Sequence, residues 1–169
     1  LADEAAALLE EASSAAPQNL PILEALGAAY QTLERPRDLV GALLRLADAE
    51  SDEERRVETW LRAAGVARDQ AGDLDLARDC FMRAAEADPL REEATAPLGT
   101  LLEDGGDVQA LRALREREVA ALLERGADRD SARVQALLWD MLTQAAKAGD
   151  GALAVGDAEA LLSLPQRSR

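Results

Sequence analysis

Histidine is missing from the chain and cysteine occurs once, at Cys80. Together these shortages remove most catalytic designs. Ser-His-Asp and Cys-His arrangements need an imidazole to carry the proton. Zinc sites draw on several histidines and thiolates, and helix-bundle di-iron sites need Glu-x-x-His pairs. Gly105-Gly106 lacks the G-x-x-x-x-G-K pattern of a phosphate loop. Carboxylates are plentiful, but they cluster at Asp52, Glu53 and Glu54 and at Glu92 and Glu93. These positions read as helix starts, where negative charge complements the helix dipole. The expectation is a chain with no catalytic residue, no metal site and no cofactor, and so not an enzyme.

Aromatic residues are equally scarce, at 2% against 48% hydrophobic. The core must therefore be built from Ala, Leu and Val, which suits closely packed helices and suits a β-sandwich poorly. No apolar run approaches the roughly 18–20 residues that span a bilayer, so no membrane insertion is expected. The opening Leu1-Ala-Asp-Glu is acidic where a secretory signal is basic. The chain also opens without methionine and reads as a piece of something longer. Lys147 is the one lysine, and the net charge is −14 with a pI near 4.4. That balance argues against nucleic acid or anionic lipid as a partner and allows a basic protein segment. Lone Cys80 can form no internal disulfide, and beside Phe81 on an apolar face it reads as a buried, inert thiol. A cytoplasmic setting is the expectation.

What the chain does contain is a repeating pattern, clearest over residues 58–91. Two helical runs meet there at Gly72-Asp73, with Leu61, Ala64, Gly65, Ala77, Phe81, Ala84 and Pro89 in order. The spacing resembles a tetratricopeptide repeat: a helix hairpin with small residues midway along each helix, a late aromatic and a closing proline. Trp60 stands one residue before the family's usual tryptophan, and Arg68 replaces its tyrosine. The series Ala5, Leu9, Ala12, Pro17 matches Ala77, Phe81, Ala84, Pro89 at one constant offset of 72 residues. The chain thus opens on the second helix of a repeat, over 2–17.

Hairpins follow at 20–50, 52–91 and 92–125, with Gly27, Gly65 and Gly99 each 12 residues before Leu39, Ala77 and Leu111. Gly65 and Ala77 are expected to meet where two helices cross. The four additional residues around Ser51 to Glu54 read as a capping box that lengthens the next helix to about 52–71. Gly-Asp pairs at 72–73, 106–107, 149–150 and 156–157 read as turns, with glycine closing one helix and aspartate capping the next. Beyond residue 125 the pattern decays into a degenerate unit over 130–164. It comprises a helix at about 130–147, a flexible 149–157 stretch, a short helix near 157–164 and a tail at 165–169. The predicted architecture is all-α: one TPR-like solenoid domain over 1–164, a right-handed stack of antiparallel hairpins with about nine helices.

The resemblance implies that the first helices line a concave groove in which a protein or peptide segment docks. It places Glu24, Ala28 and Gln31, then Arg62, Val66 and Asp69, then Ala96, Thr100 and Glu103 along that groove. The lysines and asparagines with which chaperone-binding members grip a terminal carboxylate are missing from those positions. Trp139 lies off its helix's apolar stripe. It either points into the groove as an anchor, a role tryptophan often fills, or packs on the preceding hairpin; Trp60 reads as core. Two functions stay open. One is an adaptor or scaffold whose groove binds a protein segment of basic character. The other is a structural spacer that self-associates through the open half-repeat at 2–15.

Overall fold

The computed structural model describes residues 2–127 and 131–162, with side chains as far as 160. Among these residues there are nine helices and no strand: α1 (Ala2–Ala15), α2 (Leu20–Thr32), α3 (Pro36–Ala49), α4 (Glu53–Asp69), α5 (Leu74–Ala87), α6 (Glu92–Asp104), α7 (Val108–Glu124), α8 (Ala132–Ala148) and α9 (Gly151–Leu162). The fold is all-α. Helix contacts gather into two compact units, residues 1–98 and 99–169, and the boundary falls inside α6.

Local chemistry sets each helix start. Asn19 accepts from Ile22 N at 3.3 Å, Asp73 from Leu76 N at 3.1 Å and Asp107 from Ala110 N at 3.0 Å. Each bond satisfies one of the amides a helix leaves unpaired at its beginning. Pro36 opens α3, where its missing N–H costs nothing. Three Gly-Asp pairs behave as expected, with left-handed Gly72, Gly106 and Gly149 before their aspartates. Gly156-Asp157 does not. It lies within α9, which starts at Gly151 because Asp150 caps it by accepting from Leu153 N at 3.1 Å. The stretch expected to be flexible over 149–157 is therefore mostly helix. The capping box also fails. Asp52, whose side chain accepts from Arg55 N at 3.0 Å, is the N-cap of α4 in place of Ser51.

In the first unit α1 packs on α2, α2 on α3, α3 on α4 and α4 on α5, each against its sequence neighbour. Leu23, Leu26, Leu39 and Leu43 are 0–2% exposed. Burial of each such side chain stabilises by about 1.5–3 kcal/mol. Gly27 makes room for Leu39: a Cβ there would lie 3.6 Å from Leu39 Cδ1. The α4–α5 layer relies on alanine. Ala63, Ala64, Ala67, Ala77 and Ala84 are all 0% exposed. The expectation for Gly65 is corrected here, since a Cβ on it would meet nothing within 4 Å. The small residues of that crossing are alanines.

Cys80 is 1% exposed, and burial pushes its thiol up to about 11, as befits an inert core residue. Trp60 departs from its expected core role. It is only half-buried, with the Arg56 guanidinium 5.7 Å above its ring, and Val57 fills the core instead. Arg68, at the family's tyrosine position, lies 5.8 Å over the Phe81 ring. A cation thus lies on an aromatic face.

The second unit has a different interior. α7 packs on α8 and α8 on α9, around buried Leu111, Leu114, Val134, Leu137 and Met141. Among them lies Glu118, 1% exposed, which accepts from Arg115 at 2.7 Å and from Arg133 at 3.4 Å. Arg115 also donates to Asp140 at 2.9 Å. Its guanidinium is held above the ordinary arginine range by the bonds to Glu118 and Asp140, against an opposing and larger single effect of burial. The expected tail at 165–169 and the last residues of the unit at 130–164 lie outside the described residues.

Candidate interaction surface

The expected groove residues fall in both compact units. In the first, Glu24, Ala28 and Gln31 lie exposed on α2, and Arg62 and Asp69 lie exposed on α4. The structure joins two of them: Arg62 Nη2 donates to Gln31 Oε1 at 3.1 Å, from one first helix to the next. Arg62 is therefore engaged, with part of its donor set already used. Asp69 is gripped by its neighbour Arg68 at 2.7 and 3.0 Å, which holds the carboxyl below its usual range. Val66 is 7% exposed and has little surface to offer as an anchor. Burial removes it because the α4 stripe that packs inward, Ala63, Val66 and Ala67, is wider than the sequence pattern indicated. Ala96, on the part of α6 belonging to this unit, is exposed.

In the second unit Thr100 and Glu103 lie exposed on α6. Glu103 accepts from Gln144 Nε2 at 3.1 Å and pairs with Lys147 at 3.9 Å, both on α8. The bond between Gln31 and Arg62 has its counterpart here. Gln31 and Glu103 each stand four residues after the repeat glycine, Gly27 or Gly99, and each reaches the following first helix.

Trp139 is 63% exposed, which removes the reading that it packs on the preceding hairpin. Its surroundings on α8 are uncharged: Ala132, Gln135, Ala136 and Ala146 are exposed, and Thr143 donates to Trp139 O at 2.8 Å. The charged residues of α8 are engaged. Arg133 pairs with Glu118, Asp140 with Arg115 and Lys147 with Glu103. In a chain that is 31% charged, a helix face bearing an open tryptophan and no charge is unusual. Single exposed apolar residues are ordinary, and a contiguous uncharged face is the informative case. Among the described residues no group of three or more His, Cys, Asp or Glu could hold a metal ion. No described helix is long and apolar enough to cross a membrane.

The fold is all-α, with helices packed against their sequence neighbours inside each unit. No family model and no curated protein matches the chain. Among solved structures it is similar to the crystal structure of MamA, at 16% identity and a TM-score of 0.45, over 95% of this chain and 86% of that one. A likeness at that level carries no functional argument.

Proposed function

We propose that the chain is a protein-interaction module, an adaptor or scaffold that docks a protein segment on its first-helix faces, and that it is not an enzyme. The observation that carries this reading is Trp139, 63% exposed on the uncharged side of α8. An open tryptophan supplies a large apolar contact at little entropic cost, the usual makeup of a binding hot spot. A partner with basic character fits the net charge of −14, and the exposed carboxylates of Glu24 and Glu103 support it. Charge of this kind raises the association rate more than the affinity. Val66 has no part as an anchor.

The test is capture of partners from total cell extract, followed by titration of a captured protein against Trp139→Ala. Affinity should fall by about 2 kcal/mol or more, the hot-spot scale, with the far-UV helical signal intact. Association should slow as salt rises, because exposed charges act over about 8–10 Å at moderate ionic strength. Unchanged affinity with a lowered melting temperature would sink the reading. A second reading, a spacer that self-associates through α1, is favoured by Leu8, 66% exposed beside exposed Ala5. Sedimentation across a dilution series separates the two.

A further inference from the structure

One side of α1 is closed and the other is open. Toward α2, Ala6 and Ser13 are buried and Glu10 accepts from Tyr30. On the open side Ala5, Leu8, Leu9 and Ala12 recur at i, i+3, i+4 and i+7, a single helical stripe. Ala5 is exposed, Leu8 is 66% exposed, and Leu9 and Ala12 are half-buried. The matching residues of α5, at the offset of 72, are Ala77, Cys80, Phe81 and Ala84, and all four are buried. There α4 lies on the stripe, with Arg68 over the Phe81 ring. In α3 the corresponding Leu39, Ala42 and Leu43 are buried as well, with Gly27 of α2 against Leu39. In both cases a helix covers the stripe that α1 leaves open.

We propose that a second copy of the chain covers it, α1 against α1, in an antiparallel two-fold pair centred between Leu8 and Leu9. This rests on the second reading, self-association through α1, and gives it a geometry. A two-fold contact needs a patch that complements itself. Ala-x-x-Leu-Leu-x-x-Ala reads the same in both directions. Leu8 thus meets Leu9 of the second copy, and Ala5 meets Ala12, where small side chains let the backbones approach. The corresponding residues of α3 and α5 lack this symmetry. Charge favours the same occupant. Each copy carries −14, so two copies meet best on a face without charge, and this stripe has none. At its edge Glu4 and Glu11 of the second copy are offset by only about 3 Å along the axis. Like charge therefore holds the pair back, and it tightens as salt rises, opposite to the docking of a basic segment.

Sedimentation equilibrium on the full chain reads the association. Dimer should grow with concentration and with salt. Leu8→Glu should weaken it about tenfold or more, with the far-UV helical signal kept because Leu8 is open to solvent. Disulfide trapping reads the register, and native Cys80 is buried. A mixture of Ala5→Cys chains with Ala12→Cys chains should cross-link under mild oxidation. Neither variant alone should, since its two cysteines stand about 10.5 Å apart along the axis, beyond disulfide reach. A monomer at every concentration and salt overturns the pair and the second reading together, and leaves α1 to a helix of another protein. A dimer that Leu8→Glu leaves intact, or that the mixture fails to trap, keeps self-association and overturns this geometry. Trapping of Ala5→Cys alone would make the pair parallel and overturn it too.

Discussion

The guanidinium of Arg115 occupies the space a side chain at position 99 would need: its Nη2 lies 2.8 Å from where a Cβ of Gly99 would stand. The bare Gly99 therefore leaves room for the nearer of the two cations that Glu118 binds.

Gly99→Ala should displace a guanidinium that is fixed by Glu118 and Asp140 and cannot simply swing away. Weakening its hold on a carboxylate that is 1% exposed should destabilise the protein by about 1–3 kcal/mol. Gly65→Ala gives the opposite sign. It meets nothing within 4 Å inside a helix, so it should stabilise by about 0.5–1 kcal/mol. Urea titrations of both variants check the pair; equal effects would contradict it.

Ala77→Leu should destabilise by about 1–3 kcal/mol, the usual result of forcing additional methylenes into a filled layer. Ala77 is 0% exposed, as are Ala63, Ala64 and Ala67 on the α4 side. An unchanged melting temperature would mean that the α4–α5 layer holds space the structure does not show.

Stability should fall at both ends of the pH scale through one cluster, in which Tyr30 OH donates to Glu10 and Arg45 donates to Glu10 at 3.0 Å and to Ser13 at 2.6 Å. Burial first, then the bond to Glu10, pushes the Tyr30 hydroxyl from 10.0 up to about 12. A raised folded value favours the neutral form, so its contribution is whole below pH 10.0 and disappears as pH rises to about 12. Glu10 shifts the other way, lowered from 4.5 chiefly by the Tyr30 bond, with burial opposing and Arg45 assisting. Its contribution is present above pH 4.5 and is lost as pH falls below that value. Denaturant midpoints from pH 3 to 12 measure both limbs. Tyr30→Phe should flatten the alkaline one, with a remainder from Cys80, whose thiol sits at about 11. An alkaline limb that Tyr30→Phe leaves untouched would assign it elsewhere.

Much of this fold is legible in the order of residues. The helices over 20–50, 52–91 and 92–125 can be placed because glycine, aspartate and proline act locally, and no distant contact is needed. Leu39 and Leu111 could be tied to Gly27 and Gly99 by spacing, and at the first the nearest side chain is indeed the leucine. At the second the facing residue is Arg115, since the ion cluster with Glu118 depends on α8, far along the chain. The cap at Asp52 was hidden by two adjacent residues of equal capping ability, Ser51 and Asp52, between which sequence offers no choice. α9 was obscured by its two glycines, whose cost is offset by Arg112, 45 residues away from Asp157. Of the candidate surface, Trp139 stands out because an aromatic off the apolar stripe is visible by helical spacing. Val66 is buried, against the groove pattern, because a helix that packs on both sides buries more than one stripe.

The placement of the two tryptophans has an experimental use. Trp60 belongs to the first compact unit, half-buried beneath Arg56, and Trp139 belongs to the second, open to solvent. Their fluorescence therefore differs in colour and in access to an ionic quencher such as iodide. With Trp139→Phe or Trp60→Phe the chain becomes a single-emitter probe of one half. Whether the halves melt together or in turn can then be observed with no added label.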